Sequence, residues 1–381
     1  MNYDKMGVYK IGDLKFHSKL EAIEMHAKTG IHPHWDFNEA VYSSYDWTKE
    51  PDTSISELYR QRAQQIRDRY DYVILNYSSG ADSQTILDTF IKHDIKIDEI
   101  VSFVNYRATS DAQNVQNREV IELAIPRVKV LQETRPWLKH RVIDFTELIL
   151  DYFKQESSKF DWIYQVNMIL HPTVVAKQSY GTKVKEWADM IHQGKQIGVI
   201  YGADKPRIHH VDGKFCVRFQ DTIGFCPDVK SLSGQQPYTD ELFFWSPDKP
   251  EIVIKQAHMV KRYMNGATDI RTLSGIVEGK ADLAYKIIDG KKYGLSNHML
   301  NSIIYPEWDP GSGITAPKPR SIIFADRDDW FYALESTSQY LLNWQFGLDK
   351  IWKTIPDYWK NDPLDIVKGL KGSVSKNYFL E

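Results

Sequence analysis

Cysteine is nearly absent: the 381-residue chain has two, Cys216 and Cys226. Two thiols cannot build a disulfide scaffold or a four-cysteine zinc site. Apolar runs are short. None approaches the ~20 residues that cross a bilayer, so no membrane partner is expected. Neither sign of charge dominates, since 48 Lys and Arg stand against 51 Asp and Glu, a net charge of −3. A global basic signature for nucleic acid is therefore missing, although a local patch is not forbidden. Met1 to Lys10 carries charges and no long apolar segment, so no signal peptide is expected and the setting reads as reduced and cytoplasmic. No internal repeats or low-complexity stretches stand out. What is there is a chain 42% hydrophobic and 13% aromatic. That supplies a sizeable core and argues against disorder. The length suggests two domains or one large, elaborated one.

One stretch organises the rest. Val73, Ile74 and Leu75 are a short apolar, partly β-branched run that reads as a buried strand. Ser78, Ser79, Gly80, Ala81, Asp82 and Ser83 follow at once. Thr85, Ile86, Leu87, Phe90 and Ile91 then recur at helical spacing, so a helix opens near Ala81. Strand, small-residue turn and helix N-terminus together make an anion site, because free N–H groups and the positive end of the helix dipole face the turn. Gly80 lets backbone approach a phosphate, and Ser78, Ser79 and Ser83 add hydroxyl donors. The competing interpretation is a serine-rich turn capping an ordinary helix, with Asp82 as a dipole residue. The kinase-type P-loop is excluded, because no Gly-Lys-Ser/Thr follows.

Ser78-Ser79-Gly80-Ala81-Asp82-Ser83 resembles the Ser-Gly-Gly-x-Asp-Ser loop of the PP-loop, or N-type ATP pyrophosphatase, superfamily. That group includes the synthetase domain of asparagine synthetase, GMP synthetase, tRNA-lysidine and tRNA-thiolation enzymes and, more distantly, phosphoadenylyl-sulfate reductase. Ser79 replaces the first glycine; the departure is mild if Ser79 keeps an ordinary backbone conformation. The resemblance is best over residues 72–205. Residues 1–70 are similar to phage-encoded proteins described as asparagine-synthase-like or phosphoadenylyl-sulfate-reductase-like.

Family members cleave ATP to AMP and pyrophosphate, activating a carbonyl or similar oxygen as an adenylate for attack by an amine, ammonia or another nucleophile. The resemblance implies ATP and Mg2+ as ligands, with Ser78 to Ser83 on pyrophosphate and Asp82 on the metal. It places adenine near the backbone of Tyr77 and of Val104–Asn105. The partner substrate, a small molecule or a nucleic-acid base, is left open. Asparagine synthetase makes ammonia with a cysteine after its initiator methionine; this chain has Asn2 there. Two other functions stay open: a sulfonucleotide reductase-like or sulfur-transfer enzyme, which would need Cys216 or Cys226, and a nucleotide-binding protein without turnover.

Taken in order, residues 7–16 suggest a hairpin with a Gly12-Asp13 turn. Ser18 caps a helix to about Lys28, with Leu20, Ile23 and Ala27 inward and Gly30 as its stop. His32-Pro33-His34-Trp35 reads as a loop, not a metal site. Residues 54–70 form a charged helix, capped by Ser54 or Ser56, whose Arg60, Arg62, Arg67 and Arg69 are a solvated face or, alternatively, reach the phosphates. A second strand runs from Ile100 to Val104, with Asn105, Tyr106 and Arg107 at its carboxyl end. A helix over 111–124 and a third strand from Val128 to Leu131, after Pro126, come next. Asp144 is a possible helix cap, and Thr182 to Gln193 is helical.

Gln196 to Tyr201 is a fourth strand, followed by Gly202-Ala203-Asp204-Lys205-Pro206-Arg207. Gly202 permits a tight turn, while Asp204, Lys205 and Arg207 place one acid and two cations beside the expected phosphates. The alternative is a polar surface turn. Asp212-Gly213 sits in a hairpin, Thr239 to Trp245 is an aromatic stretch, Pro250 opens a helix to Met264, and Asp329 to about Phe346 is a helix. Lys368 to Glu381 reads as a surface tail. The rhythm predicts an α/β, doubly wound parallel sheet of the adenine nucleotide alpha-hydrolase (HUP) type. Its expected parts are an N-terminal unit at 1–70, an ATP-binding core at 71–210 and an accessory region at 211–381.

Overall fold

A computed structural model describes residues 6–108, 114–155, 162–164, 170–177, 184–203, 205–221, 239–266, 284–314, 324–355 and 373–381. The N-terminal hairpin pairs β1 (Val8–Ile11) with β2 (Leu14–Phe16) across the expected turn. Ser18 caps the helix Lys19–Thr29, accepting from the Glu21 N–H, and Gly30 ends it in the left-handed conformation. Ala27 is exposed; Ala22 and His26 take the inward positions beside Leu20 and Ile23. The stretch read as a loop contains a strand, β3 (His34–Asp36), which pairs with β1 and buries Trp35 against Tyr9. His34 meets the Glu39 carboxylate at 3.0 Å.

The central sheet is wholly parallel. It uses β4 (Tyr72–Asn76), β5 (Glu99–Val104), β6 (Lys139–Asp144) and β7 (Ile197–Tyr201). After them come the hairpin strands β8 (Ile208–Val211) and β9 (Lys214–Val217), joined by Asp212-Gly213. Then β10 (Thr239–Leu242) returns to the sheet. The spatial order is β10-β7-β4-β5-β6. The order reverses between β4 and β7, and in open parallel sheets ligands bind beyond the carboxyl ends of the strands at such a point. The architecture is α/β and compatible with a doubly wound fold.

The third strand of the sheet is β6, not Val128–Leu131. Helical turns occupy Val115–Arg118, a π-type turn Glu119–Ala124 and an α-helix Ile125–Thr134. Ala124, Val128 and Leu131 have helical spacing, and Ala124 and Val128 are fully buried. A π turn shifts the hydrogen-bond register, and a proline lacking its N–H is best tolerated where a helical segment begins. Asp144 does cap the helix Phe145–Phe153, accepting from the Thr146 N–H at 2.9 Å. The later helix is at Lys185–His192.

The arginine helix Ile55–Arg69 is capped by Ser54 and carries the Glu57–Arg60 pair. Its other arginines meet carboxylates. Arg67 pairs with Asp98, just before β5. Buried Arg62 and half-buried Arg69 both reach Glu241 on β10, Arg69 at 2.8 Å, while the Tyr70 hydroxyl donates to it at 2.6 Å. Burial works to raise the Glu241 carboxyl; Arg62, Tyr70 and Arg69 outweigh it and hold it below the usual carboxylate range.

The helix Glu251–Gly266 follows Pro250. Strands β11 (Tyr285–Ile288) and β12 (Lys291–Gly294) form a hairpin ahead of the helix Asn297–Ile304. The stretch expected as one helix from Asp329 is two, Asp329–Tyr332 and Gln339–Thr354. The stretch expected as a surface tail ends in β13 (Tyr378–Phe379), paired with β9, with Tyr378 and Leu380 buried. The Tyr378 ring stacks on Trp47 at 4.6 Å, which is why it is held inside. Among the described residues no helix is long and apolar enough to cross a membrane.

Candidate functional site

The loop leaving β4 turns at Ser78 to Gly80, and the helix Ala81–Lys92 starts there. Gly80 is the N-cap, so no side chain caps the first turn. Ser79 has φ of 64°, the left-handed region that a serine adopts at a penalty of roughly 1–2 kcal/mol. This is the position of the first glycine in the resembled motif, so the departure is not mild: serine has taken glycine's backbone conformation. Ser79 is buried, and its hydroxyl accepts from Arg127. Ser78 and Ser83 have hydroxyls 3.4 Å apart, and Ser83 donates to the Gly80 carbonyl at 3.2 Å. These long contacts are ones that a phosphate oxygen can replace with charge-assisted bonds.

The loop leaving β7 meets the first one directly. A Cβ added to Gly202 would lie 3.0 Å from the Asp82 Cβ and 3.2 Å from the Ser83 nitrogen. Only glycine allows that approach without displacement. Ala203 packs against the main core, and Asp204 lies outside the described residues. Lys205 Nζ sits 2.7 Å from the Asp82 carboxylate. The Tyr305 hydroxyl, just past the helix Asn297–Ile304, donates to Asp82 Oδ1 at 2.6 Å. Arg207 instead is buried beside the β8–β9 hairpin, its carbonyl accepting from the Arg218 N–H. There, burial, then Arg218 and Arg207, push the His209 imidazole down to about 4.

Gly202→Ala should test this junction. Overpacking of this kind typically destabilises by about 1–3 kcal/mol. Thermal unfolding should register that loss, and any nucleotide turnover should fall about tenfold as the two loops separate. An unchanged melting temperature and rate would mean that the close approach is immaterial.

The adenine positions behave differently. The Tyr77 N–H donates to the Val101 carbonyl at 2.8 Å, its carbonyl accepts from Ser102, and its hydroxyl donates to Gln84 at 2.6 Å. Val104 is buried in register with Asp144. Asn105 is buried too: its N–H and carbonyl both pair with the Asn117 side chain, and its amide donates to Asp328 and the Arg327 carbonyl. These bonds tie the Tyr77 and Asn105 backbone and the Asn105 amide nitrogen to the carboxyl end of the sheet, while the buried Asn105 Oδ1 has no hydrogen-bond partner among the described residues.

Two site residues escaped the sequence reading. Tyr305 had no local signal, being an aromatic just past a helix end. Arg127 was hidden by the strand reading of Val128–Leu131; the spacing of Ala124, Val128 and Leu131 is the signal that would have exposed it. Among the described residues no group of three or more His, Cys, Asp or Glu is placed to hold a metal. A single carboxylate plus phosphate oxygens and waters is nevertheless the ordinary environment of Mg2+. Asp82 fits that part: its side chain is 30% exposed, and Lys205, which reaches both of its oxygens, and Tyr305, which donates to Oδ1, leave part of its capacity of about four acceptor positions.

Cys216 does not belong to this site. It is buried on β9 opposite His209, and burial pushes its thiol up to about 11, against the weaker pull of Arg218. Such a thiol is not a nucleophile. Cys216→Ala should therefore leave nucleotide turnover within about twofold of wild type in a rate assay. Loss of turnover in a folded variant would redirect attention to sulfur chemistry. Cys226 lies outside the described residues. No protein-family model matches this chain, and no curated protein matches it at a significant level.

Proposed function

We propose that the chain is an ATP-dependent adenylating enzyme of PP-loop type, with the HUP arrangement of its sheet. The observation that carries this reading is the Lys205–Asp82 contact at 2.7 Å, made across the two loops that flank the switch between β4 and β7. The strand order and the left-handed residue at the glycine position of the motif add support. In this reading the Ser78–Ser83 hydroxyls and the first-turn N–H groups cradle the pyrophosphate portion of ATP. Asp82 holds Mg2+, which when bound supplies neutralising charge to the phosphates. Lys205 is the fixed cation for charge that develops as pyrophosphate leaves. A carbonyl or carboxylate oxygen of the second substrate attacks the α-phosphorus, and an amine or ammonia then displaces AMP. The sulfur-transfer alternative is weakened by the burial of Cys216, which pushes its thiol upward.

The test is product analysis with ATP and Mg2+ in the presence of amine donors and a small-molecule pool. AMP and pyrophosphate are the expected products. ADP formation would overturn the reading. ATP binding with no product would favour a nucleotide-binding protein without turnover.

A further inference from the structure

We infer that Arg127 is a phosphate-binding residue of the Ser78–Ser83 loop, contributed from outside both loops. The inference rests on the reading of that loop as a site for the pyrophosphate part of a nucleotide. One guanidinium nitrogen of Arg127 donates to the Ser79 hydroxyl and, at 3.2 Å, to Gln84 Oε1; the other donates to the Ser312 carbonyl. All three acceptors are neutral. Arg62, Arg67, Arg69 and Arg141 each meet a carboxylate. Arg127 forms no ion pair among the described residues. Asp88 feels its charge only at longer range, and Gln84 stands between them, donating to Asp88 at 2.7 Å.

A half-buried guanidinium held by neutral oxygens keeps its full charge for an anion. It lies against the residue whose left-handed backbone shapes the loop. The π turn Glu119–Ala124 immediately precedes the segment that bears it, and such turns recur at functional sites because they rotate the helical residues after them. Lys205 approaches the loop at Asp82, whereas Arg127 approaches at Ser79, so two cations bracket it. A planar fork suits two oxygens of a diphosphate better than it suits one serine hydroxyl. When a diphosphate binds, the bonds to Ser79 and Gln84 give way to bonds to phosphate oxygens; no covalent change is involved.

The test is calorimetric titration of the full chain with inorganic pyrophosphate and, separately, adenosine. Wild type, Arg127→Gln, Arg127→Lys and an Arg118→Gln control are compared. Arg118 pairs with Glu122 on the exposed face of the preceding turn. Arg127→Gln should weaken pyrophosphate about 10- to 100-fold, the range for a charged hydrogen bond, and leave adenosine unchanged. Arg127→Lys should recover part of the loss, and Arg118→Gln should match wild type. Equal pyrophosphate affinity in wild type and Arg127→Gln overturns the inference alone. So does a parallel loss of adenosine, which would make Arg127 a structural latch. If Arg127→Gln does not fold, Arg127→Lys decides: wild-type affinity there overturns the guanidinium's role. Failure of wild type to bind pyrophosphate overturns both this inference and the reading of the loop.

Discussion

Asp82→Ala should reduce AMP formation by about a thousandfold or more, while the protein stays folded. The carboxylate stands at the first turn of the helix Ala81–Lys92 and is the group that joins Lys205, Tyr305 and the loop. In the proposed mechanism it also anchors the magnesium ion, whose charge is worth several kcal/mol to the transition state. Several kcal/mol at about 1.4 kcal/mol per decade is the expected loss. The structural penalty is smaller. Removing a first-turn carboxylate forfeits about 0.5–1 kcal/mol of dipole interaction, and taking away the acceptor that Tyr305 and Lys205 share adds roughly 1–3 kcal/mol. A chain of this size typically has a margin of about 5–15 kcal/mol, so the variant should fold. Asp82→Asn separates the two effects: it can still accept from Tyr305, yet offers no charge. Rates and thermal unfolding measured together decide the matter. A folded Asp82→Asn with wild-type turnover would remove Asp82 from the mechanism.

The parts of this site that were legible in the sequence were those where local chemistry and tertiary role agree. Val73 to Leu75 are apolar and fully buried, and Ser78 to Ser83 carry their turn chemistry in their own residue types. Strand β7 was equally plain, because Ile197, Val199 and Ile200 are again apolar and enclosed. Strand β10 is the opposite case. Thr239-Asp240-Glu241-Leu242 is too polar to suggest a sheet strand; it pairs with β7, and Arg62, Arg69 and Tyr70, some 170 residues away, satisfy its buried Glu241. The same contacts explain why the arginines of the helix Ile55–Arg69 looked available for phosphate. Their spacing showed a charged helix; their carboxylate partners lay far along the chain. Ser79 is subtler. Its identity suggested a mild departure from glycine, whereas its backbone shows that the turn still demands the left-handed conformation.

Lys205→Ala should separate binding from chemistry. Lys205 is largely buried, with 13% of its side chain exposed, and its charge is paired with Asp82. Ground-state phosphates have the helix N-terminus, the loop hydroxyls and Arg127 to meet them, whereas Lys205 is already paired with Asp82, so removing Lys205 should weaken ATP only modestly. The charge that grows on departing pyrophosphate is another matter. Removing one preorganised electrostatic contact from a transition state typically lowers the rate about 100- to 1000-fold, or about 2.7–4 kcal/mol. An interaction realised mainly in the transition state lowers kcat more than it raises KM. Lys205→Arg should restore part of the rate, because a planar guanidinium does not reproduce a compact ammonium on a flexible stem. Gly202 holds the loop so close to Asp82 that the bulkier fork must also find room there. ATP affinity by calorimetry, set beside AMP formation for wild type and both variants, makes the comparison. Equal losses in affinity and rate would make Lys205 a binding residue only, and a wild-type rate in Lys205→Ala would reduce the Gly202–Arg207 segment to a surface turn.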